Sequence, residues 1–182
     1  MQHISHTSLL ILHTQMCMLQ SSQVSLFEWR SHPSEDSIVD DSLDTCGTVA
    51  CAIGHATAIP AFNMQGFTYD LRQGEPSLKI DDHIVHNWEA VALFFDLTQI
   101  EAVCMFGEDD PRPTYNFHLS GVDTNEIKRV AKQILGKEGA ERKLDDRTKV
   151  LRRIRRYLRS NGHITKEQAK VLKKAEKPAG KQ

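Results

Sequence analysis

Val150-Leu151-Arg152-Arg153-Ile154-Arg155-Arg156-Tyr157-Leu158-Arg159 sets two chemistries side by side on a helical period. Val150, Leu151, Ile154, Tyr157 and Leu158 recur at helical spacing and form a narrow apolar seam, while Arg152, Arg153, Arg155, Arg156 and Arg159 take the other faces. Asn161-Gly162 stops this helix, and Thr165-x-x-Gln168 opens another that runs to about Lys173. Two helices with so few apolar residues cannot build a core of their own. The seam must dock on the preceding chain, on a second copy or on a partner, and that choice decides the architecture.

Charge divides the chain at the same place. Residues 142–182 hold 15 Lys+Arg against 4 Asp+Glu, a net of +11, and residues 1–141 hold 8 against 20, a net of −12, which together give the chain's −1. The pattern predicts a compact, acidic helical domain over residues 1–136 and a linker over 137–141. A basic helical arm over 142–177 and a disordered tail at 178–182 follow. Such an arm either meets a polyanion or folds onto an acidic surface. Its expected contact residues are Arg152, Arg153, Arg155, Arg156, Arg159, Lys166, Lys170 and Lys173, which would meet phosphates without reading bases. Tyr157, the one aromatic available for stacking there, sits on the seam. Truncation after Gly139 is expected to leave the acidic domain folded.

Within the acidic part, Cys46-Gly47-Thr48-Val49-Ala50-Cys51-Ala52-Ile53-Gly54-His55-Ala56 puts two cysteines and a histidine at the start of an apolar helix. Thr48 is the expected N-cap, with Val49, Ala52, Ile53, Ala56 and Ile59 as the buried stripe. Cys51 falls in the first turn, where helix N–H groups favour a thiolate, and His55 shares its face at i, i+4. The reading adopted is core packing of both cysteines. Its alternatives are zinc held by Cys46, Cys51 and His55 with His83 or His86, a catalytic Cys51–His55 thiol, and a Cys46–Cys51 disulfide. No cofactor is expected; zinc is the one candidate.

The same run, followed by Trp88-Glu89-Ala90, Phe94-Phe95-Asp96-Leu97 and Ala102-Val103-Cys104-Met105-Phe106, resembles a family of small uncharacterised bacterial and phage proteins over roughly residues 46–135. The resemblance implies no particular activity.

The rest of the chain reads as mainly α, or α+β with one small hairpin. Residues 4–20 form a helix with Leu9, Leu12, Met16 and Leu19 on one stripe, and Val24, Leu26, Phe27 and Trp29 follow as an apolar cluster. Residues 31–45 read as an acidic loop. Pro60 ends or restarts the cysteine helix, and Gly66 closes a short turn. Phe67, Tyr69 and Leu71, a Gln73-Gly74-Glu75-Pro76 turn, then Leu78 and Ile80 give a hairpin near 67–80. His83 and His86 fall at the start of the tryptophan helix. Thr98-Gln99-Ile100-Glu101 is a capping box, and Asp123 with Glu126 opens a further helix that Gly136 closes.

No apolar run is long enough to span a membrane, and Leu9-Leu10-Ile11-Leu12 lacks the basic leader of a signal peptide. The acidic pairs Asp40-Asp41, Asp81-Asp82 and Asp109-Asp110 read as solvated loops. Phosphate-binding glycine loops, Gly-x-Ser-x-Gly and His-Glu-x-x-His are missing. The sequence therefore points to a cytoplasmic, non-catalytic binding or accessory protein, alone or as a homo-oligomer. It would contact nucleic acid or an acidic protein surface through the arm. The alternative is a cysteine- or zinc-dependent enzyme built on Cys46, Cys51 and His55.

Overall fold

The computed structural model describes residues 4–26, 50–107, 121–137 and 140–176. The expected Thr48 cap, Cys46, the 31–45 loop, Phe27, Trp29 and the 178–182 tail lie outside them. The fold is mainly helical with a small antiparallel sheet. Its elements are α1 (Ile4–Met18), α2 (Ala52–Ala56), α3 (Pro60–Asn63), β1 (Phe67–Asp70), β2 (Glu75–Ile80) and β3 (His83–His86). Then come α4 (Asn87–Phe95), α5 (Gln99–Phe106), α6 (Thr124–Ile134), α7 (Asp146–Ser160) and α8 (Lys166–Ala175). No helix among the described residues is long and apolar enough to cross a membrane.

The hairpin grows into a three-stranded sheet in the order β1-β2-β3. His83 and His86 form the third strand, at whose end His86 is also the N-cap of α4, so only His83 stands away from the start of that helix: Ile80 pairs with His83 across the two residues Asp81-Asp82, and Asp81 turns the chain at φ 52°. Phe67, Leu78 and Val85 align across the strands and face α4. There Phe67 stacks on Phe94 at 4.3 Å, and Phe62, Phe95 and Phe106 complete an aromatic cluster. Trp88 is only half-buried, packed near Gly107 at the end of α5.

α7 is the centre of the helical layer. It packs against α1, α5 and α6, and Val150, Leu151, Ile154 and Leu158 are completely buried in one core with Leu9, Leu12, Val103 and Ile134. The seam thus docks on the preceding chain. The apolar stripe of residues 150–158 belongs to the main core, because burying it against existing apolar surface lowers the free energy that exposure to water would leave high. Glu141, the last residue of the expected linker, is packed here too, 5 % exposed.

Candidate functional site

The cysteine run forms a structural corner. Cys51 is the N-cap of α2, its Sγ accepting from Gly54 N at 3.4 Å, so it precedes the first turn rather than lying in it. It is 2 % exposed, and burial pushes its thiol up to about 11 against the opposing pull of the Gly54, Ile53 and Cys51 N–H groups. A five-residue helix supplies too small a dipole to reverse that desolvation. Cys51 is therefore a buried, protonated thiol, as the core-packing reading of it expects, and the alternative of an activated thiolate finds no support. Cys104 on α5 is alike, buried and pushed up to about 12. His55 is buried, and its Nε2 lies 2.8 Å from the Gln23 carbonyl. It reinforces the crossing at which Val24 and Ala50 form a parallel bridge. His83 and His86 stand on β3, and among the described residues no group of three or more His, Cys, Asp or Glu side chains is arranged to hold a metal ion. Cys46 lies outside those residues.

The arginine face is largely consumed inside the protein. Arg153 is fully buried, with Nε 2.9 Å from Glu141 Oε2 and Nη1 2.7 Å from the carbonyl of Gly107, the C-cap of α5. Arg156 Nη1 donates to Glu141 Oε1 at 3.1 Å, to Ile134 O at 3.2 Å and to Leu135 O, where α6 ends. Arg155 grips the Glu176 carboxylate at the end of α8 at 2.6 and 3.3 Å. Arg147, buried at the start of α7, donates to Met16 O and Cys17 O at 2.8 Å each and so closes α1. Four helices therefore end on arginines of a fifth. The cause is elementary: a helix leaves its last carbonyls without partners, and buried ends need donors from elsewhere. Arg153, Arg155 and Arg156 are thus not free contact residues. Arg152 is half-buried, with Nη1 3.4 Å from Ala140 O.

What stays outward is a different set. Arg142, Lys143, Arg159, Lys166, Lys170, Lys173 and Lys174 are exposed, and none forms an ion pair among the described residues. α8 orders its four lysines because Thr165 and Gln168 close a capping box and Ala169 with Leu172 faces the core side.

One cluster has no counterpart in the sequence reading. His13 Nδ1 lies 3.8 Å from Cys17 Sγ, and its Nε2 lies 3.2 Å from Glu176 Oε1. Burial would raise the Glu176 carboxyl, but hydrogen bonds from His13 and Arg155 outweigh it and hold the group below its ordinary range. Burial, offset in part by Arg147, raises the Cys17 thiol. The i, i+4 spacing of His13 and Cys17 on a helix is a legible hint; Glu176 is 163 residues from His13 and gives none.

No family model, no characterised protein and no solved structure matches this chain. Its function has to be argued from its own chemistry.

Proposed function

We propose that this protein is a non-catalytic binding protein that contacts nucleic acid through the exposed cations of α8 and the adjoining turns, Lys166, Lys170, Lys173 and Lys174 with Arg142, Lys143 and Arg159. The observation that carries the reading is the division of labour among the basic residues. The buried Arg147 and Arg153 and the half-buried Arg155 and Arg156 close helix ends, while the exposed cations lie unpaired among the described residues. Unpaired surface ammonium groups held at helical spacing meet backbone phosphates by releasing counterions, and need no base reading. A cysteine enzyme built on Cys51 and His55 is the weaker reading, since its nucleophile is buried and its thiol pushed up to about 11.

The test is fluorescence anisotropy with labelled single- and double-stranded DNA of mixed sequence across a salt series. Affinity is expected to fall with a log–log slope of about −0.7 to −0.9 per phosphate contact and to vary little with sequence. Replacing the four α8 lysines with Gln is expected to flatten that slope by roughly three to four contacts' worth. Unchanged binding in the quadruple variant would overturn the proposal. Binding to acidic proteins with no binding to DNA would reassign the same surface to a protein partner.

A further inference from the structure

Glu176 closes α8 by reaching into a seat that α8 does not build. Its Oε1 lies 3.2 Å from His13 Nε2 and 2.6 Å from Arg155 Nε, its Oε2 3.3 Å from Arg155 Nη2, and its carbonyl 3.4 Å from Arg147 Nη1. Every one of these donors belongs to α1 or α7. The His13 side chain is 1 % exposed. Arg147 is fixed independently of α8, by the carbonyls of Met16 and Cys17. The guest, by contrast, holds on thinly. α8 contributes buried Ala169 and half-buried Leu172, while Val171 is 68 % exposed. The charged and titratable groups around the carboxylate are His13 and Cys17 from α1 and Arg147 and Arg155 from α7.

We propose that His13, Arg155 and Arg147 form an oxyanion-binding site, filled in this state by the chain's own Glu176, and that an external carboxylate or phosphoryl group taking the seat releases the end of α8. No covalent bond changes; one anion exchanges for another. The guanidinium fork of Arg155 accepts either chemistry in a two-point grip. An empty seat would leave the buried His13 ring and the half-buried Arg155 guanidinium without the carboxylate they share, so undocking of α8 is coupled to anion capture. The competitor works against a tethered rival, whose effective concentration behind a short turn is on the order of millimolar or more. The inference stands on the seat's geometry alone and holds whether or not the lysines of α8 meet nucleic acid.

Hydrogen exchange by mass spectrometry on the full chain tests it. In Glu176→Gln, amides of residues 166–175 are expected to exchange about tenfold faster or more while α5 keeps its protection. In the wild type, inorganic phosphate or sodium acetate is expected to raise α8 exchange in a saturable way beyond sodium chloride of equal ionic strength. A response to phosphate alone assigns a phosphoryl ligand; a response to acetate alone assigns a carboxylate. Arg155→Gln, already fast, is expected to give no further response. Unaltered α8 protection in Glu176→Gln would overturn the latch. Phosphate and acetate acting no differently from chloride would overturn the site.

Discussion

Replacing Arg153 with methionine removes the guanidinium that α7 inserts between Glu141 and the Gly107 carbonyl. The side chain is fully buried and so is nearly all of its partner, 0 % and 6 % exposed, so solvent cannot replace what is lost. Breaking one side of a buried ion pair costs about 3–5 kcal/mol. The orphaned Gly107 carbonyl adds about 1–3 kcal/mol. Two terms pull the other way: Arg156 still holds Glu141 at 3.1 Å, and the methionine stem keeps most of the packing. A net loss of about 4 kcal/mol is expected, or roughly 10 °C in Tm for a chain of this size. Urea unfolding read as a shift in midpoint at constant m measures it. Arg159→Met, on the same helix but exposed, is the control and should change stability by less than about 0.5 kcal/mol. An Arg153→Met protein within about 1 kcal/mol of wild type would refute the buried ion pair and return that arginine to the solvent face.

Truncation after Gly139, which the charge pattern alone would tolerate, is now expected to unfold the remainder, because it removes Val150, Leu151, Ile154 and Leu158 from the core. Loss of cooperative thermal melting by circular dichroism is the check, and a melting, compact fragment would count against a single core. Cys51→Ala should cost on the order of 1 kcal/mol and Cys51→Asp several times more, by burying a charge. In the folded protein at pH 8, iodoacetamide should modify Cys17 while Cys51 and Cys104, held at about 11 and about 12, stay unmodified by mass spectrometry. Because the folded Glu176 carboxyl is lowered, its contribution is present above the ordinary Glu value and lost as pH falls through the lowered one. Exchange of α8 should therefore accelerate, relative to α5, below about pH 4. A constant ratio down to pH 3 would contradict the clasp.

Local grammar was legible wherever the interactions are local. The capping boxes at Thr98–Glu101 and Thr165–Gln168, the Asp123 cap and the glycine stops at Gly66 and Gly136 all form where the residues call for them. The third strand escaped because Asp81-Asp82 carries no glycine to mark a two-residue turn. The arginines of α7 escaped for a deeper reason. Apart from the carboxylates of Glu141 and Glu176, their partners are main-chain carbonyls, which every residue possesses, so little in the sequence distinguishes an arginine that closes a distant helix from one that faces water. Of the expected contact residues, Arg159, Lys166, Lys170 and Lys173 are exposed, whereas Arg153 is not. The seat around His13 needed a carboxylate from the far end of the chain.

That α7 closes the ends of α1, α5 and α6 has a consequence for how the chain is made. Arg147 is 131 residues downstream of the Met16 carbonyl that it satisfies. As the polypeptide leaves the ribosome, the first helix is completed long before the donor that terminates it exists. α1, α5 and α6 emerge with an open end and an apolar stripe uncovered. Stepwise folding from the amino end is therefore not expected. Folding waits for α7 and then closes several helices at once. Translation pauses or premature termination before Arg147 are expected to leave a chain with open helix ends and uncovered apolar stripes, the condition that favours aggregation.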